Sequence, residues 1–176
     1  FEYFSLDLGD QDMRVSACEF RRLVSQKNEI TSFSKSWKNP IMWAHYTDSH
    51  KGIAIGFDVL DNLLFKIDYV ESRITPEADV DHSKAAMVGL VVKLLRTKHK
   101  EWSYEDEYRL VRPLENCNQK GDKFFAALND KTRLEEVILG ARYQGCQCEK
   151  LESDLKSAGV KYRTAHAEFK GFRMTT

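Results

Sequence analysis

The sequence predicts an α+β fold, a single domain over 1–176 with a mixed or mostly antiparallel sheet and flanking helices. Three observations lead there. Stretches of strand character outnumber helical ones and come in runs. One stretch alone, between 83 and 99, carries a long and clean 3.6-residue apolar period. And 176 residues, with three prolines, nine glycines, no internal repeat and no linker-like segment, suit one continuous domain.

In chain order, residues 1–11 are turn-rich beyond Leu8, and Met13 to Gln26 reads as a short helix with Val15, Cys18 and Leu23 inward. Ile30 to Ser34 alternates faces as a strand does. Asn39-Pro40 is a helix start, since Asn caps free N–H groups and Pro tolerates the first position. That helix is expected to run to about Lys51 and stop at Gly52. Its apolar stripe is expected to bury Met42, Trp43 and Tyr46. Ile53 to Phe57 and Lys66 to Val70 are short strands. In the 83–99 helix Met87, Leu90, Val91, Leu94 and Leu95 fall on one face, leaving Lys84, Lys93, Arg96 and Lys100 toward water; Thr75-Pro76-Glu77 adds an earlier turn. Glu107 to Arg112, Lys123 to Leu128 and Leu134 to Leu139 are strands. Cys148, Leu151, Leu155 and Ala158 line a helix ended by Gly159, and Val160 to Phe169 is a final strand.

Composition excludes several classes. Apolar residues are 42% and charged ones 31%, with mean hydropathy −0.51. Lys+Arg and Asp+Glu both number 27, so no global field is there to hold nucleic acid or anionic lipid. Either partner would need a local patch. No run approaches the roughly 18–20 apolar residues of a membrane span, and no signal peptide is visible. The four cysteines lack zinc spacing, so reduced thiols and a cytoplasmic location are expected.

Three clusters carry chemistry. In Thr31-Ser32-Phe33-Ser34, strand geometry puts Ser32 and Ser34 on one face. Two such hydroxyls can order a neighbouring carboxylate, although strand-edge serines are the commoner outcome. In the segment from Asn39 to Tyr46, helical spacing brings Trp43 and Tyr46 to one side, where they form core or stack on a planar ring. His45 and His50 have the wrong spacing for two metal ligands on one helix face, and no metal is expected. In the segment from Trp102 to Arg109, an extended chain would point Glu105 and Glu107 the same way, about 7 Å apart. That pair is either a site or an acidic turn salt-bridged to Arg109, with equal weight.

Taken together these residues resemble a bacterial family known only as a domain of unknown function. Its pattern runs S-F-S, N-P-x-M-W-x-H-Y with a glycine six residues on, W-x-Y-E-x-E-Y-R, and a V-I-x-G strand. The chain supplies Ser32-Phe33-Ser34, Asn39-Pro40, Met42-Trp43, His45-Tyr46, Gly52, Trp102, Tyr104-Glu105, Glu107-Tyr108-Arg109 and Val137-Ile138-Leu139-Gly140. The family pattern also places a strand upstream with a Tyr-Lys/Arg-Tyr element and an F-N-D-P-F-E segment. Phe1-Glu2 would be the end of that segment, so an N-terminal strand is expected to be missing.

A Ser-x-Ser strand, an aromatic-bearing helix and a later Glu-x-Glu are, in that order, similar to ADP-ribosyltransferases. That resemblance implies NAD as substrate, Glu107 as catalytic carboxylate and Glu105 as a substrate-orienting one. It implies Ser32 and Ser34 supporting Glu107, Trp43 or Tyr46 near nicotinamide, and the Asn39 helix start near the diphosphate. The early Arg or His of those enzymes has no identifiable counterpart here. The expected function is an NAD-using toxin or phage-defence effector, modifying a protein or nucleic-acid acceptor, with no membrane partner. Two alternatives stand beside it: a non-catalytic ligand-binding or sensor domain, and a metal-dependent nuclease using Glu105, Glu107 and His45.

Overall fold

A computed structural model describes residues 11–74, 84–144 and 146–176. Its class is α+β, with small, mostly antiparallel sheets. The chain clusters into two compact units, one from 1–33 and 62–127, the other from 34–61 and 128–176. Each unit is assembled from two separated stretches. No linker marks the boundary, which is why the sequence reads as one domain.

In the first unit α1 (Gln11–Ser25) precedes β1 (Asn28–Ser34), and β1, β6 (Glu107–Pro113) and β3 (Leu64–Lys66) form a three-stranded sheet with β6 central. The expected strand over 66–70 is two strands, because the chain breaks at buried Ile67 between β3 and β4 (Asp68–Val70). The long helix is α3 (Lys84–Arg96), and it stops three residues earlier than its period suggests. There the Thr97 hydroxyl donates to the Lys93 carbonyl (2.7 Å) and the chain becomes β5 (Thr97–His99), parallel to β4. Leu94 and Leu95 are buried and Leu90 and Val91 half-buried, as the stripe requires. Lys93 and Lys100 face water, but Arg96 is half-buried and pairs with Asp68. The turn at Thr75 and the Met87 and Lys84 side chains lie outside what is described.

Two further expectations in this unit are corrected. Val15 is 60% exposed and Cys18 is exposed, whereas Val24 is half-buried. Nine residues are two and a half helical turns, so Val24 lies on the side of α1 opposite Val15; the Leu23 side chain lies outside what is described. The strand expected over 123–128 ends early: β7 (Asn118–Lys120) and β8 (Lys123–Phe125) form a hairpin about Gly121, whose φ of 63° suits glycine.

The second unit is organised by β9 (Thr132–Leu139). It pairs antiparallel with β2 (Ile53–Val59) and parallel with β10 (Lys161–Thr164), reached through α4 (Cys146–Ser157). Alternate residues of β9 serve two cores. Ile138 joins Trp43, Ala165 and Met174, while Val137 and Leu139 join Leu155 of α4. The last strand is interrupted at fully buried Ala165. It continues as β11 (His166–Ala167) against β12 (Met174–Thr175), so Phe169 lies outside it and fully exposed. Ala158, expected on the α4 stripe, is exposed just beyond the helix end.

The helix α2 (Pro40–Tyr46) starts as the sequence predicts, with the Asn39 side chain accepting from the Ile41 N–H (2.9 Å). It ends five residues early. The Thr47 hydroxyl takes the Trp43 carbonyl (2.5 Å), and Asp48, Ser49 and His50 all adopt positive φ. Gly140, at the end of β9, holds this turn: its N–H donates to the Gly52 carbonyl (2.9 Å), and a Cβ there would lie 2.2 Å from the His50 carbonyl oxygen.

Candidate functional site

The chemistry gathers in the first unit, around Glu107 at the start of β6. A short 3-10 turn (Lys100–Glu105) leads in from β5, capped by the His99 side chain, and Asp106 reverses the chain with a left-handed backbone (φ 42°). The acidic pair is therefore not extended, as the sequence suggested. The reversal brings both carboxylates to one lysine instead. Lys98 Nζ donates to Glu105 Oε2 at 2.5 Å and to Glu107 Oε2 at 3.3 Å. Parallel pairing of β4 and β5 sets Tyr69 beside Lys98, and the Tyr69 hydroxyl oxygen accepts from the Glu107 N–H (2.8 Å).

Arg109, two residues along β6, completes the cluster. Its Nε donates to Glu107 Oε1 (2.7 Å) and one terminal nitrogen to Oε2 (3.2 Å); the other donates to the Leu95 carbonyl (2.7 Å). From β1, the adjacent strand, the Ser32 hydroxyl also favours the ionised form of Glu107. Lys98, Glu105, Glu107 and Arg109 are all buried, yet Ser32 is exposed.

The cluster holds two anions and two cations, so its formal charge is zero. Burial pushes the Glu107 carboxyl up. The Arg109 hydrogen bonds, the Ser32 hydroxyl and the charges of Arg109 and Lys98 outweigh burial and hold it below its ordinary 4.5. Burial also pulls the Lys98 ammonium down, but the Glu105 hydrogen bond and both carboxylate charges keep it above its ordinary 10.5. The Tyr69 phenol is raised chiefly by burial and stays protonated. Lys98 also stands 4.8 Å over the Trp102 ring, a cation–π contact. The charges of Glu107 and Lys98 are consequently fixed at neutral pH.

A carboxylate has roughly four lone-pair sites. Arg109 fills two on Glu107 and Lys98 a third. The 3.3 Å Lys98 contact is the longest of the three, so it is the one a substrate hydroxyl displaces most readily.

The other site residues read from the sequence sit in the second unit. Trp43 is only 2% exposed; its indole N–H donates to the Trp37 carbonyl (2.6 Å) and its ring stacks on His50. It is a core residue, with no ring face open to nicotinamide. Tyr46, expected to be buried beside it, is 58% exposed and meets His45 edge-on. Met42 is half-buried, so of the three residues expected inward on α2 Trp43 alone is fully covered. Asn39 caps α2, and the Ser34 hydroxyl donates to the Ser36 carbonyl (3.1 Å). The structure brings together Ser32, Glu105 and Glu107 and adds Lys98, Tyr69 and Arg109.

Among the described residues no three His, Cys, Asp or Glu side chains converge to hold a metal ion, and no helix is long and apolar enough to cross a membrane. A divalent cation at Glu105 and Glu107 would also face Lys98 and Arg109. No family model, curated protein or solved structure matches the chain.

Proposed function

We propose that the Glu107 cluster is an NAD-cleaving site of the ADP-ribosyltransferase kind, in a chain whose motifs resemble that bacterial family. One observation carries the reading: an exposed Ser-x-Ser serine, Ser32, lies on the strand beside that of Glu107, a buried carboxylate that its surroundings keep ionised. In the reaction the bond between ribose C1′ and the nicotinamide nitrogen breaks, and its electron pair leaves with neutral nicotinamide. Positive charge grows on the ribose, and a fixed carboxylate stabilises it more in the transition state than in the ground state. An acceptor hydroxyl, amine or water then bonds to C1′ and releases its proton to solvent. Glu107 supplies the charge and Ser32 its orientation. The acceptor class, protein or nucleic acid, belongs to the proposal at the same coarse level.

A second reading has its own observation. Both Glu107 oxygens are held by Arg109 and one also by Lys98, as in a polar network that fixes a fold. On that reading the chain is a non-catalytic binding or sensor domain.

Nicotinamide release separates the two. Glu107→Gln keeps the shape and removes the charge, and losing one such electrostatic contribution slows catalysis by about 10²–10³-fold. The expected result is that loss of rate with NAD affinity by calorimetry unchanged. Wild type that neither binds NAD nor releases nicotinamide with any acceptor would leave the binding-domain reading standing.

A further inference from the structure

We infer that Glu105 is a positioning residue: it draws the Lys98 ammonium to itself and so leaves Glu107 enough negative charge to act on a ribosyl cation. This rests on the NAD-cleaving reading and changes the role of Glu105 within it. The resemblance implies a Glu105 that orients substrate, but Glu105 is 4% exposed and its carboxylate is bound to Lys98.

The asymmetry of the lysine is the basis. Lys98 Nζ lies 2.5 Å from Glu105 and 3.3 Å from Glu107. Its backbone is fixed by β4 and its ammonium stands over Trp102, so a small swing about the last side-chain bonds decides which carboxylate it neutralises. Arg109 has no such freedom. Its guanidinium is anchored on the Leu95 carbonyl and spans both Glu107 oxygens. The groups facing Glu107 are therefore one fixed cation, one movable cation, Ser32 and the Tyr69 hydroxyl. Without the Glu105 charge the movable cation is left to Glu107. It would then fill the lone pair that a ribose hydroxyl needs and cancel the field that a developing cation needs.

The prediction is a reversal of sign. Glu105→Gln should slow nicotinamide release about tenfold or more, up to the roughly 10²-fold loss of one whole electrostatic contribution. Adding Lys98→Gln should restore most of the rate, although it removes a second charge; the amide keeps a donor in the same place. A merely structural Glu105 would make the double variant slower still. An independent readout needs no activity: the titration of the Glu107 carboxyl, followed by carbon-13 NMR in a double-mutant cycle. Glu105→Gln removes a like charge in both backgrounds. Only with Lys98 present does it also hand over a cation, so the Glu107 midpoint should fall further there than in the Lys98→Gln background. Equal falls in the two backgrounds, or a double variant no faster than Glu105→Gln, would overturn the inference. If wild type shows no NAD cleavage, the enzyme reading fails, and the titration cycle still decides whether Glu105 holds Lys98. Should Lys98→Gln fail to fold, Lys98→Met in the Glu105→Gln background removes both charges at once and serves the rate comparison.

Discussion

Trp43 in one unit and Glu107 in the other are almost equally buried, 2% and 4% exposed, and both sit in motif-dense segments. What surrounds them is opposite. Trp43 packs with Ile138, Ala165 and Met174 and has one polar obligation, its indole N–H, met by Trp37. Glu107 is surrounded by donors and cations, each of which exists in that place because a charge is there to meet it. The first arrangement is stable because apolar area leaves water. The second breaks about even against an apolar core of the same volume, because desolvating four charges offsets their attraction. A protein keeps such a cluster for specificity or for chemistry. Burial alone distinguishes nothing; the neighbours do.

The contrast can be broken by four substitutions. Trp43→Ala should destabilise by about 3–5 kcal/mol, as large-to-small core truncations do, read as a lower urea midpoint. An unchanged midpoint would remove Trp43 from the core. Arg109→Leu should cost a similar amount, about 3–5 kcal/mol, because it leaves Glu107 buried without its guanidinium donors. Unlike the Trp43 loss, this one should depend on pH. The folded Glu107 value lies below the ordinary 4.5, so its contribution is whole above pH 4.5 and is lost as pH falls through the folded value. The gap between wild type and Arg109→Leu should therefore close in acid, while the Trp43→Ala gap stays. Lys98 behaves in the reverse sense: its contribution is whole below 10.5 and is lost as pH rises through its higher folded value. Denaturation midpoints from acid to alkaline pH check both; a pH-independent Arg109 gap would mean that the ion pair contributes nothing. Asn39→Ala should cost about 1 kcal/mol, the usual loss of a helix cap. Tyr46→Ala should fall within about 0.5 kcal/mol, since its ring is exposed. A larger Tyr46 effect would mean that the ring is covered in solution.

The sequence shows some of this directly and hides the rest for physical reasons. The Asn39 cap, β2, β6 and β9 follow from local rules of capping and period. Glu105 and Glu107 are visible as a pair. Their meeting point is not, because it depends on left-handed Asp106, a conformation that aspartate tolerates but does not announce. Lys98 is the clearest omission. It lies three residues past Leu95 and four past Leu94, so the 3.6-residue period already puts it in line with the apolar stripe, but its place in the basic run Arg96 to Lys100 hides it. The chain has turned from helix to strand at Thr97, and Lys98 is buried there as a strand residue. A zero-sum acidic motif offers one usable signal: two carboxylates close together require cations, and Arg109 supplies only one. Tyr46 shows the opposite error, where a sound helical spacing was extended over a helix that stops at its second turn.

Gly140 has a consequence of another kind. The last letter of the V-I-x-G strand is occupied by glycine because the His50 and Gly52 carbonyls leave no room for a Cβ. That letter records a clearance between two backbones and no reactivity. It would persist in a descendant that had lost Glu107 and Lys98. Chains that share that letter share a shape, whatever they do.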